Sequence, residues 1–224
     1  MGYYIDIEKM TLDDYKSILK ESYMIPSRQM LKEDIDKNID IFAVQGIENI
    51  AQLQKHLKSK PKLKKIAEKT GLGEKYLNAL RLELNAYIEK PTKVKDFACL
   101  SDDIKSKLEG AGIKDTFDVY NRTLTKENRD SLAKELGLKI EEIVMITKLA
   151  DLSRIRWVNH TFAYVLYLAD YDTVEKAAKA DYNKVYEDVR ALNKEKQIFK
   201  GNIGLNDMKL LTELAGRMPM DIGY

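Results

Sequence analysis

The 224 residues carry 38 Lys plus Arg against 36 Asp plus Glu, a formal charge of +2, with 44% hydrophobic and 33% charged positions. That balance is the composition of a soluble folded chain able to bury a core, and it excludes intrinsic disorder. One Cys and two His exclude an intramolecular disulfide framework and a Cys-rich zinc site, and leave little for metal or triad chemistry.

The chain opens MGYYIDIEKMTLDDY, without the basic region and apolar stretch of a signal peptide, and no run of about 18 apolar residues follows. A cytoplasmic protein with no membrane partner is expected. Gly2 makes no myristoylation signal, because position 6 is Asp6 rather than Ser or Thr. Tyr3 to Ile7 is the one stretch with strand-like alternation. Thr11 followed by Asp14 is an N-cap pair, and Pro26-Ser27 opens a helix expected to run to Gly46.

Self-comparison then reveals a period of 66 residues, since Gly46-Ile47 recurs as Gly112-Ile113 and Ile66-Ala67 with Gly71-Leu72 recurs as Leu132-Ala133 with Gly137-Leu138. Leu77 and Leu80 match Ile143 and Ile146. A more divergent third copy is suggested by Asp115-Thr116 recurring as Asp172-Thr173. Boundaries near residues 26, 97 and 150 divide the chain into an N-terminal segment with a short helix (1–26), two repeats (27–96 and 97–149), and a divergent third repeat with a C-terminal helix (150–224). Helical spacing is clear in Leu77, Leu80, Leu84 and Ile88, and again in Leu132, Leu136, Ile140, Ile143 and Ile146. Gly46, Gly71, Gly112 and Gly137 stand where a helix must stop in a left-handed conformation, Ser101 and Asn159 are helix caps, and Pro61 and Pro91 mark helix or loop starts. The fold class is all-α: tandem repeats of helices joined by tight hairpin-like turns, packed into one compact array.

Short helices joined by tight turns in tandem resemble the helix-hairpin-helix class. The residues carrying the resemblance are Ile66 to Leu77 with the turn Gly71-Leu72-Gly73, Asp96-Phe97-Ala98-Cys99-Leu100-Ser101, and Asp151 to His160. The stretch Asp151 to Ala180, opening Asp-Leu-x-x-Ile and closing its next turn with Asp-Thr-Val, looks like the family catalogued as domain of unknown function 4332. The resemblance to the helix-hairpin-helix class implies an array of such units and sequence-nonspecific contact with DNA phosphates; it implies no enzymatic activity and no cofactor. Two turns depart from Gly-x-Gly, reading Cys99-Leu100-Ser101 and Trp157-Val158-Asn159, where bulkier side chains hold a phosphate away from the backbone.

Gly71-Leu72-Gly73 is the leading phosphate candidate, because its glycines admit close approach and the next helix start offers N–H groups to an anion. Seven lysines from Lys55 to Lys69 face one acid, Glu68. Lys62, Lys64, Lys65, Lys69 and Lys75 would supply the charge. The bland alternative is a helix turn beside a solvated lysine face. Arg154, Arg156, Trp157, Asn159 and His160 form a second cluster that would stack a base and hold a phosphate; the bland alternative makes Trp157 a core plug, Asn159 a cap and the arginines partners of acids. Tyr164, Tyr167 and Tyr171, spaced i, i+3 and i+7, are a stacking platform, a protein-binding patch or core residues with their hydroxyls at the rim, and Tyr182 and Tyr186 read the same way. Asp13-Asp14, Asp102-Asp103 and Glu141-Glu142 fall at helix starts, where the dipole favours carboxylates, and Cys99 reads as a buried small hydrophobe. No nucleophile, base and orienting group come together, so no catalytic or metal residue is expected. Two functions remain: a non-catalytic protein contacting nucleic-acid phosphates nonspecifically, and a protein-interaction scaffold whose degenerate hairpins have no nucleic-acid affinity.

Overall fold

The computed structural model describes residues 2–224 and is helical throughout; among them no strand forms, only the isolated bridges Thr11 to Asn49 and Lys93 to Asp115. The chain divides into two compact units, Ile5–Glu89 and Lys90–Tyr224, the second also claiming Gly2, Tyr3 and Tyr4. Tyr3 to Ile7 makes no strand; Tyr3 is buried and its hydroxyl pairs with Thr116 Oγ1 at 2.5 Å.

The Ile5–Glu89 unit contains α1 (Leu12–Glu21), a 3₁₀ helix (Pro26–Lys32), α2 (Ile35–Ala43), α3 (Ile50–His56), α4 (Lys60–Thr70) and α5 (Glu74–Asn85). Helix α1 starts at a full capping box: the Asp14 N–H donates to Thr11 Oγ1 at 3.1 Å and the Thr11 N–H to Asp14 Oδ2 at 2.9 Å. The helix expected from Pro26 to Gly46 is broken. Asp34 adopts φ 46°, which stops the 3₁₀ turn and restarts the chain as α2; Asp tolerates this left-handed conformation better than most residues. Leu12, Tyr15, Leu19, Leu31, Ile39, Phe42, Leu53, Leu77, Leu80 and Leu84 close around one core. Ile88, the last of the spaced residues on α5, lies beyond its end and is exposed.

The second unit runs through a 3₁₀ turn (Val94–Asp96), α6 (Asp102–Gly110), α7 (Thr116–Thr123), α8 (Lys126–Leu136), α9 (Ile140–Leu152), α10 (His160–Leu168), α11 (Val174–Lys179), α12 (Tyr182–Lys196) and α13 (Leu205–Ala215). Helix α9 is its spine, packing on α7, α8 and α10, while α13 covers α11 and α12. Burial of Ile143, Ile146, Leu149 and Leu152 follows.

Local features recur along the chain. Helix α2 stops at Gly46, α6 at Gly112 and α10 at Asp170, with φ of 78°, 78° and 66°. In each case the next residue's N–H reaches back five residues: Ile47 to Phe42 O, Ile113 to Leu108 O, Tyr171 to Leu166 O, the bond that closes a left-handed helix stop. Asn49, Asp115 and Thr173 then cap α3, α7 and α11. The third cap falls one residue later than the matching Asp-Thr dipeptides place it: Asp115 caps in one turn and Thr173, not Asp172, in the other.

Candidate nucleic-acid interface

Helix α4 buries Leu63 and Ile66 and leaves Lys62, Lys64, Lys65 and Lys69 exposed. Helical spacing puts Lys62, Lys65 and Lys69 (i, i+3, i+7) on one stripe, and Lys64 on another face, four residues before Glu68. Among the described residues these four lysines and Lys75 make no salt bridge. At the end of α4, Gly71 takes φ 73° and its N–H bonds Ala67 O at 2.9 Å; a residue with a Cβ pays about 1–2 kcal/mol for that conformation. The Leu72 N–H donates to Thr70 Oγ1 at 3.2 Å. Gly73 is the N-cap of α5 and offers no side chain to its first turn. A Cβ at Gly71 or Gly73 would meet nothing within 4 Å, so the turn is open on its outer side, with amides of a helix start, flanking lysines and one opposing acid, Glu74, in the first turn. Such an arrangement of free amides and cations is chemically suited to an anion.

The turn of matching geometry in the second unit is Gly137-Leu138-Lys139, where Gly137 has φ 58° and its helix stop is closed by the Leu138 N–H on Ala133 O at 3.0 Å. Here the Lys139 N–H already donates to Glu142 Oε2 at 2.8 Å. A carboxylate of the chain itself already takes this amide. Cys99-Leu100-Ser101 and Trp157-Val158-Asn159 sit elsewhere in the succession: each leads into a helix that ends at the Gly112 or Asp170 stop. Ser101 caps α6 by accepting the Ile104 N–H at 3.3 Å, and Asn159 caps α10 by accepting the Phe162 N–H at 2.9 Å.

The second arginine cluster is split. The Arg154 side chain is 1% exposed and therefore contacts no ligand. Its guanidinium donates to Asp151 Oδ1 from Nη2 at 2.5 Å and from Nε at 3.1 Å, and to Pro219 O at 2.9 Å, and it lies 4.8 Å from the centre of the Tyr120 ring. Asp151 also accepts the Val174 N–H at 3.0 Å and the Tyr224 hydroxyl at 3.1 Å, while the Tyr120 hydroxyl donates to Asp221. Burial, then the neighbouring carboxylates, push the Tyr120 and Tyr224 hydroxyls far above the usual tyrosine range. The cluster ties residues 219–224 into the unit.

Trp157 goes the other way. It is 41% exposed, with φ 70° and the Arg156 guanidinium 3.9 Å from its ring centre. The core is filled by its neighbours Ile155 and Val158, so the indole is not a core plug. A bulky residue in this conformation costs about 1–3 kcal/mol. Tyr164 and Tyr167 are half-buried and nearly parallel, at 6.4 Å and 14°, whereas Tyr171 is tied to Asp188 and Tyr186 lies under Arg190. Burial raises the Cys99 thiol. The paired acids serve helix starts, Asp14 and Glu142 through bonds to the backbone, and no group of three or more His, Cys, Asp or Glu among the described residues is placed to hold a metal. No helix among them is long and apolar enough to cross a membrane.

The buried ion cluster was the feature least visible beforehand. Its signal is the pair Asp151 and Arg154, three residues apart inside the apolar run from Leu149 to Ile155, where charges survive only if paired.

Fold and site together define an all-helical protein of capped helices joined by left-handed turns, with one cationic hairpin. Residues 98–216 match the family described as Domain of unknown function (DUF4332), more than half the chain, and the protein belongs to that family. The span contains the Gly137 hairpin and the stretch Asp151 to Ala180; the Gly71 hairpin lies before it. Neither a curated protein nor a solved structure matches the chain.

Proposed function

We propose that this is a non-catalytic cytoplasmic protein, built of helix-hairpin-helix-like units in tandem, that binds nucleic acid nonspecifically by contacting phosphates through α4 and the Gly71-Leu72-Gly73 turn. The observation carrying this reading is the exposed stripe Lys62, Lys65 and Lys69, without ion pairs among the described residues, beside a helix start that no side chain caps. Lysines held this way release counterions when a phosphate backbone replaces them, which favours binding at low salt and weakens it steeply as salt rises. Lys64 and Lys75 add to the local field. Arg154 has no part, and Asn159 is spent on its cap.

The test is fluorescence anisotropy of labelled duplex and single strands at about 50 and about 200 mM salt. Binding at the lower concentration that fades at the higher one is expected. Changing Lys62, Lys65 and Lys69 together to Glu should flatten the salt slope by about three, one per lysine. Absence of binding at the lower salt would end this reading and favour the protein-interaction scaffold, which the carboxylate-filled Gly137 turn fits.

A further inference from the structure

We infer that Arg154 and Tyr120 couple two segments far apart in sequence, residues 2–4 and residues 219–224, so that the second is a latch seated fully only while the first is docked. Both segments belong to the Lys90–Tyr224 unit, and the coupling holds whatever the lysines of α4 bind. Each of the two side chains touches both segments. Arg154 Nη1 faces Gly2 O at 3.4 Å and Tyr3 O at 3.5 Å, and Nη2 donates to Pro219 O at 2.9 Å. The Tyr120 ring meets the Tyr3 ring edge to face, with centres 5.5 Å apart, and its hydroxyl donates to Asp221.

The guanidinium is not free to swing between its partners. Asp151 Oδ1 accepts from both Nε, at 3.1 Å, and Nη2, at 2.5 Å, which fixes the plane of the fork. Nη1 is thereby held toward residues 2–4 and 3.9 Å from Asp221 Oδ1, a buried oxygen with no hydrogen-bond partner among the described residues. Docking of either segment removes water from this one cation, whose side chain is 1% exposed, and so strengthens its hold on the other. Each segment also has an anchor of its own. The Tyr3 hydroxyl pairs with Thr116 Oγ1 at 2.5 Å, while the Gly223 N–H donates to Leu124 O at 3.0 Å and its carbonyl accepts from Arg129 Nη2 at 2.6 Å. Tyr4 runs directly into Ile5, the first residue of the other unit, so an event that draws residues 2–4 away loosens residues 219–224 too.

The test is hydrogen exchange of the full chain, read at the Gly223 amide and compared with buried Ile146 in α9 as the marker of whole-unit opening. Tyr3→Ala should speed Gly223 roughly fivefold or more, with Gly223 still the faster of the two amides. Tyr3→Leu keeps an apolar anchor and drops the ring against Tyr120. It should have a smaller effect of the same sign, and it carries the test if the alanine variant does not fold. With Asp221→Ala in place, Tyr3→Ala should speed Gly223 less than it does in the parent, because part of the route to the latch is gone. Gly223 exchange unchanged in the Tyr3 variants overturns the coupling, and so does equal acceleration with and without the Asp221 carboxylate. Slower exchange in Tyr3→Ala also overturns it, since the two segments would then compete for Arg154. Gly223 exchanging no faster than Ile146 makes residues 219–224 part of the core and leaves no latch.

Discussion

The hairpins at Gly71 and Gly137 have closely similar backbones and different charge surroundings. In both, a glycine with positive φ ends one helix and a hydrophobic residue leads into the N-cap of the next, with φ/ψ of −62°/142° at Gly73 and −70°/148° at Lys139. At the first, the helix before the turn turns its lysines outward and nothing from a side chain caps the helix after it. At the second, Glu142 fills the anion position, and Arg129 on α8 points inward to Thr123 O and Gly223 O at 2.9 and 2.6 Å. The turn itself is thus a requirement of chain reversal, met by any sequence with a glycine in place. On the proposed phosphate reading, affinity for an external anion is decided separately, by whether the exposed amides and cations are already taken.

The sharpest separation of the two uses of cations comes from Arg154. Its partner Asp151 is buried with it and Pro219 O lies half-buried beside it, so Arg154→Ala leaves a carboxylate without its counter-charge. A loss of about 3–5 kcal/mol in urea unfolding is expected, far more than any lysine of α4 would cost. Duplex affinity of the protein that remains folded should not change. A mild effect of Arg154→Ala on stability would show that the interior cluster is solvated and that the inward and outward cations are not distinct.

A smaller effect tests the shared backbone. Gly71→Ala and Gly137→Ala each place a Cβ at positive φ, with open space around it, so both should lose about 1–2 kcal/mol through conformation alone. Equal losses in thermal melts would mark the two turns as equivalent; only Gly71→Ala should also weaken nucleic-acid binding.

These turns were legible in advance because a helix stop needs a particular residue at one place, and the four glycines expected to take positive φ do so. The caps at Thr11, Ser101 and Asn159 follow from equally local chemistry. The misread features depend on conformations that several residues share or on partners far away in sequence. Asp34 and Asp170 adopt positive φ without being glycine; the first breaks the helix expected from Pro26, and the second makes a helix stop that no glycine marks. Arg154 and Arg156 are two residues apart and alike in composition. Asp151, three residues earlier, is the local partner of the first one, and Pro219 and Asp221, brought in from more than sixty residues away, complete its surroundings. The family resemblance rests on Asp151 to Ala180, with its Asp-Leu-x-x-Ile and Asp-Thr-Val, and that stretch lies inside the matched residues 98–216.

The finest test converts one hairpin toward the other. Glu142→Gln keeps an acceptor for the Lys139 N–H but removes the negative charge from the first turn of α9, where Glu141 also stands. Losing one favourable charge at a helix start costs about 0.3–1 kcal/mol, read in thermal melts. The Gly137 turn then has the same open glycine as Gly71, with Lys134 and Lys139 exposed beside it and a weaker competitor for its amides. Duplex affinity should rise two- to fivefold at about 50 mM salt and return to the parent value at about 200 mM, as the added phosphate contact is screened. Affinity unchanged at both salts would mean that an open amide turn adds nothing to the lysines, and the phosphate contact at Gly71 would then belong to α4 alone.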